Sequence, residues 1–156
     1  MRESTLIVSL DFELFWGMQD GWELSEYEEN ILGGRAAIPK MLELFRRHGI
    51  HATWASVGFL FADGPEDLKA FFPDLLPAYA DKTLDPYAYL ETLAKEDYNC
   101  FFAPELLQKI AATPGQEIGS HTFCHYYCRE KGQTVEEFEA DMRAAKAIAE
   151  RKKIEI

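Results

Sequence analysis

Apolar positions along the chain switch between strand-like and helical periodicities, and their order predicts the architecture. Thr5 to Leu10 is β-branched and apolar with no polar alternation, then meets charged residues, the pattern of a strand buried on both faces of a parallel sheet. Ile38, Met41, Leu42 and Phe45 recur at helical spacing, with Pro39 near the start, Arg46, Arg47 and His48 in the last turn and Gly49 as the stop. Ile50 to Phe61 is again apolar, β-branched and aromatic, which predicts a second strand and a right-handed βαβ unit. From 62 to 102 the pattern loosens around Pro65, Pro73, Pro77 and Pro86. This stretch reads as an insertion with short helices, placed to act as a lid.

Pro104 opens a further helix with Leu106, Leu107, Ile110 and Ala111 on one face, and Pro114-Gly115 closes it. Gln116 to Ser120 fits a short third strand. Thr134 and Glu137 form a capping box ahead of an apolar stripe through Val135, Phe138, Met142, Ala145 and Ala149, ending near Arg151. Ile154 to Ile156 reads as the start of a fourth strand. The fold class is therefore α/β, a single domain over 1–156 with parallel strands and flanking helices. A closed (β/α) barrel takes about 250 residues. This alternation supplies about half of one, so the expectation is either an open sheet or part of a barrel truncated at its C-terminus.

Composition narrows the partners. With 47% hydrophobic and 13% aromatic residues, the chain has the apolar content of one globular core. Sixteen basic residues stand against 27 acidic ones, a formal net charge of -11, which repels phosphate backbones and anionic membrane surfaces. Nucleic acid and membrane are thus excluded as partners in favour of a small-molecule or oligosaccharide substrate, while nothing in the pattern fixes an oligomeric state. The cluster Glu23, Glu26, Glu28 and Glu29 reads as solvated surface. Met1-Arg2-Glu3-Ser4 leads into a short apolar run that meets Asp11 and Glu13 at once, with no secretion signal. Cys100, Cys124 and Cys128 are too few for a disulfide framework, and the expectation is a cytoplasmic protein.

Two segments directly follow predicted strands, where parallel α/β architectures bind ligands: Asp11-Phe12-Glu13 and His121-Thr122-Phe123-Cys124-His125. Carboxylates at i and i+2 face one side if the strand continues; the plainer reading is a helix cap or an ion pair. Histidines four apart on a strand are separated by about 13 Å, but on a helical turn by about 6 Å. His121 and His125 can therefore share an ion only if the chain curls after Gly119-Ser120. A carboxylate from the first strand end would complete a two-histidine, one-carboxylate set with open positions. The rival is a closed zinc site that adds Cys124 and Cys128, against which stands the single ligand cluster. His48 and His51 flank Gly49 at a turn and suit the surface better than ligation.

These residues resemble the motifs of the polysaccharide deacetylase (NodB-homology) family. Ser9-Leu10-Asp11-Phe12-Glu13 is similar to the family's T-F-D-D-G, and His121 to His125 to its H-S-x-x-H. Arg46 to Trp54 resembles the family's helix end, glycine and A-T-F-F strand, and Glu117 to His121 its E-I-G-x-H. The resemblance implies a partial, distorted (β/α) barrel and a hydrolase that removes acetyl groups from N-acetylated sugars with a divalent ion, Zn2+ first. It makes Asp11 the general base and Glu13, His121 and His125 the metal ligands. The departure is Glu13, one place beyond the family's second aspartate, and the alternative is Asp11 as the ligand. Trp16, Trp22, Tyr126 and Tyr127 lie near the motifs, and Trp16 and Tyr126 are the expected stacking surfaces for a sugar ring. The family's later R-x-P-Y and L-x-H motifs are not in these 156 residues. That leaves two alternatives: a hydrolase of cyclic amides or ureides, and a non-catalytic α/β module.

Overall fold

The computed structural model describes residues 5–156; Met1 to Ser4, on which the reading of the N-terminus begins, lie outside it. Three short parallel strands, β1 (Ser9–Phe12), β2 (Ala52–Ser56) and β3 (Gln116–Ser120), form one sheet in the order β1-β2-β3. Helix α1 (Leu24–His48) connects the first two. The second connection carries α2 (Pro65–Lys69), α3 (Pro86–Leu90) and α4 (Pro104–Ala111), and α5 (Val135–Arg151) follows β3. Short 3-10 turns occupy Leu14–Gly17, Gly58–Phe61, Lys82–Leu84 and Lys95–Cys100. The α/β class and the flanking helices match the sequence pattern, and a strand order that follows the chain is compatible with one sector of a (β/α) barrel. Among the described residues no helix is long and apolar enough to cross a membrane.

The two faces of the sheet differ. Leu10, Trp54 and Ile118 are register partners on the face covered by α1 and α4, where Phe45 and Phe12 pack on the Trp54 ring. Ser9, Thr53 and Glu117, then Asp11, Ala55 and Gly119, form successive rows on the other face. There Thr53 donates its hydroxyl to Glu117. The expectation of a first strand buried on both faces is therefore corrected: β1 starts at Ser9 and alternates, and Leu6 and Ile7 are 88% and 81% exposed. As an edge strand it has a partner on one side only, and Thr53 N–H to Val8 O is the bond that extends the pairing upstream.

Other boundaries shift for identifiable reasons. Helix α1 begins about four turns ahead of the expected start, because Glu23 and Glu26 build a capping box there. Pro39 lies inside the helix and costs the carbonyl of Arg35 its N–H partner. The Arg35 side chain ties this part of the helix to the second connection: its guanidinium donates to Phe102 O at 2.6 Å and Asn99 O at 3.2 Å and pairs with Glu105. The second strand ends at Ser56, and after extended Val57 the chain turns away as the wholly buried 3-10 turn Gly58–Phe61. Ile154 is buried, but Ile154 to Ile156 forms no strand. The buried face of α5 runs through Ala140, Asp141, Ala144, Ala145, Ile148 and Ala149, which leaves Val135 exposed. The stretch 62–102 contains the expected short helices but is packed inward, not laid over a site: Leu68, Tyr79, Leu90, Cys100 and Phe101 are all buried.

The chain after β3 is zipped onto the end of β2. His121 N–H donates to Ser56 O, Gly58 N–H to Thr122 O and Phe59 N–H to Phe123 O, each at 2.9 Å. This approach requires glycine at 58, since an added Cβ would lie 2.6 Å from the Phe123 ring and 2.8 Å from its Cα. Overpacking against backbone typically costs about 1–3 kcal/mol. Gly58→Ala should lower unfolding stability by that amount in urea titrations; unchanged stability would mean the two segments are not in close contact.

Candidate metal centre

Three groups meet at the carboxyl ends of β1 and β3. Glu13 follows β1 and initiates the 3-10 turn Leu14–Gly17. His121 follows β3, two residues beyond Gly119 on the face that also carries Asp11. His125 lies one curl further on. The Nε2 atoms of His121 and His125 both approach Glu13 Oε2 to 3.2 Å, and the imidazole rings are 5.1 Å apart. One donor atom from each residue lies within 4.8 Å of the other two. Their side chains are 27%, 32% and 20% exposed for Glu13, His121 and His125, so solvent reaches a half-buried cluster.

The electrostatics follow from this contact. Hydrogen bonds from His121 and then His125 hold the Glu13 carboxyl down at about 2, against the burial that opposes them. The same carboxylate raises the His121 pKa, and Asp11 adds to it from nearby. Asp11 itself is exposed, in register with Ala55 and beyond it Gly119, whose small side chains leave the carboxylate open to solvent.

The curl that joins the histidines uses left-handed backbone at two residues that have Cβ atoms: Thr122 (φ 64°) and His125 (φ 58°). Such a conformation costs about 1–2 kcal/mol per residue, and more for β-branched threonine. Several bonds hold it. Thr122 Oγ1 accepts from Tyr126 N at 2.7 Å and donates to His121 O. Between the histidines, Phe123 N–H and Cys124 N–H donate to the two oxygens of Asp141, at 2.6 and 3.2 Å. Asp141 sits on α5 and is fully buried. Burial pushes its pKa up, and the Cys124 thiol and the two N–H donors work against that. Hydrogen bonds to a charged group contribute about 1.5–3 kcal/mol each, enough to offset two left-handed residues.

The candidate residues divide clearly. Glu13, His121 and His125 converge, and Asp11 lies beside them. Trp16 does not present a stacking face: it is fully buried, donates Nε1–H to Phe101 O at 2.8 Å and packs edge-on against Phe59 and Phe101. Tyr126 is likewise interior, between Tyr79 and Phe138, with its hydroxyl on Gln133. The 3-10 turn after Glu13 directs Trp16 into the core, and the curl directs Tyr126 there. Tyr127 is the tyrosine beside the site, edge-on to His125 at 5.4 Å, with its hydroxyl near Asp20 and Gln19. Trp22 is half exposed against Tyr27. The cysteines stay out of the cluster: Cys124 is buried toward Asp141 and Tyr87, and Cys128 is exposed. His51 lies against Gly115 at the opposite, amino-terminal end of the sheet. Asp141 escaped the sequence reading, although an acid heading the spacing 141, 144, 145, 148 is a visible signal.

Two imidazoles and a carboxylate around one open position fit a divalent ion of the zinc type, with places left for water and substrate. The sequence model of the polysaccharide deacetylase family matches residues 20–152. The match includes His121 and His125 and begins after Asp11 and Glu13. No curated protein and no solved structure matches the chain.

Gly17 has no room for a side chain, because an added Cβ would overlap the Glu13 carboxylate. Gly17→Ala should displace that flexible side chain and weaken metal binding about 10–100-fold; calorimetric titration with zinc checks this, and wild-type affinity would refute it. In chelator-treated protein the Glu13–His121 pair gives a pH window. The depressed Glu13 pKa contributes stability above about 4.5 that is lost as pH falls toward 2, whereas the raised His121 pKa contributes stability below 6.5 that is lost as pH rises through its folded value. Melting temperature should therefore peak between the two, and Glu13→Gln should flatten the profile. An unaltered profile in that variant would rule the pair out as its source.

Proposed function

Because this chain belongs to the polysaccharide deacetylase family, we propose that it is a metal-dependent hydrolase of a carbon–nitrogen amide bond, with the N-acetyl group of a sugar as its substrate. The observation that carries the reading is the convergence of Glu13, His121 and His125 within 4.8 Å at the carboxyl ends of β1 and β3. Those three residues would hold the ion, Zn2+ by the preference of a mixed imidazole and carboxylate set. Bound there, it supplies Lewis acidity toward the amide carbonyl and a lowered pKa for water.

The chain's own residues supply the rest. Asp11, on the same sheet face as His121 and open to solvent, takes the proton of the attacking water at its carboxylate. The same proton is then available to the departing amine. The small row Ala55 and Gly119 leaves space above the sheet for an acyl group to reach Asp11. His121 and His125 would hold the ion as neutral imidazoles, through the ring nitrogens that face Glu13. The division between Asp11 as base and Glu13 as ligand rests on the contacts of Glu13 with both imidazoles, which Asp11 lacks.

The test has two stages. Elemental analysis of chelator-free protein should find about one zinc per chain, absent from His121→Ala; no metal even after zinc addition would remove the ligand assignment. Acetate release from N-acetylglucosamine oligomers should then fall about 10²–10⁴-fold in Asp11→Asn with metal content unchanged. Hydrolysis of cyclic amides or ureides alone would replace the sugar as substrate, and bound metal with no hydrolysis of either class would leave a metal-binding module.

A further inference from the structure

Among the described residues, the one fully buried carboxylate sits on a helix that contributes no ligand. Asp141 on α5 is 0% exposed, and both of its oxygens are taken by backbone N–H groups of Phe123 and Cys124. Those two residues lie between His121 and His125. On either side of them the backbone is left-handed, at Thr122 and at His125 itself. A core position of this kind ordinarily takes an apolar residue, since a buried carboxylate is tolerated only when its acceptors are satisfied. Here they are satisfied by the segment whose shape decides whether two imidazoles four residues apart face one point.

We propose that Asp141 is a positioning residue for the metal centre: its carboxylate clamps the Phe123 and Cys124 amides and so fixes His121 and His125 in ligating geometry, from a helix remote in sequence. This rests on the metal-centre reading above. Supporting contacts behind metal ligands typically govern affinity by 10–100-fold when removed, and Asp141 acts on two ligands at once. The clamp is directional. An asparagine at 141 keeps the shape and one acceptor oxygen, but sets an NH2 group against an N–H and so loses one of the two bonds.

The experiment compares wild type, Asp141→Asn and the exposed α5 control Glu139→Ala by zinc affinity in competition titrations, by the visible spectrum of the cobalt(II) form, and by thermal melts. The expected result is a loss of about 10–100-fold in zinc affinity and an altered cobalt spectrum for Asp141→Asn, with Glu139→Ala unchanged. A lowered melting temperature with wild-type affinity and spectrum would overturn the role, since Asp141 would then serve stability alone. If Asp141→Asn does not fold, the same comparison is made in the Thr122→Gly background, which relieves the left-handed residue and loses the hydroxyl bonds to His121 and Tyr126, so each affinity is set against Thr122→Gly alone. A further loss of affinity there supports the clamp, and none overturns it. Wild type that binds no zinc overturns both this role and the metal reading; zinc-binding wild type beside an unaffected Asp141→Asn overturns only this one.

Discussion

Two histidines four residues apart can meet one carboxylate only if the backbone between them leaves the strand and curls. Most of the site's surroundings serve that constraint. The curl needs left-handed backbone at Thr122 and His125, and it is stitched down on three sides: to the end of β2 through Ser56, Gly58 and Phe59, to its own next turn through the Thr122 hydroxyl, and to α5 through Asp141. The aromatic residues of the curl, Phe123 and Tyr126, are driven into the core, which turns the histidines the other way, toward Glu13. Burial of the ring residues and exposure of the imidazoles are two aspects of one backbone conformation.

Much of this was legible from residue patterns. The third strand, α4 and α5 fall where their caps, prolines and apolar spacing place them, because each boundary is set by local chemistry: Pro104, Gly115, and the Thr134–Glu137 box. That a carboxylate after β1 could meet both histidines was readable from strand ends and spacing, on condition that the chain curls after Gly119-Ser120; the choice of Glu13 came from the family resemblance. What was not legible depended on tertiary contacts. The first half of α1 is interrupted by Gly33 and Gly34 and buries its apolar stripe, Leu24, Tyr27 and Ile31, only in part, so a cap and the reach of Arg35 to Phe102 help to sustain it. Whether Trp16 faces a ligand or the interior turns on the 3-10 backbone that follows Glu13, which periodicity does not encode. Asp141 looks like one more surface acid until the helix is rotated by its neighbours.

The sheet itself is modest, four or five residues per strand, and one of its faces is polar or small-sided. Such a sheet could not sustain the domain on its own area. The core has instead moved to the connection after β2, where Phe59, Trp16, Phe101 and Tyr87 stack edge to face. The stretch that looked like an insertion is therefore a principal source of buried apolar surface, and the strands serve chiefly to aim their carboxyl-end residues.

The glutamate that departs from the family's adjacent aspartates carries a condition with it. Its longer side chain folds back over the turn it initiates and lies where the side chain of any residue other than glycine at 17 would be. Glu13 and Gly17 thus act as one unit of sequence, an acid and a gap four positions later. A side chain at 17 and this placement of the acid exclude each other, so what one position tolerates is set by the residue at the other.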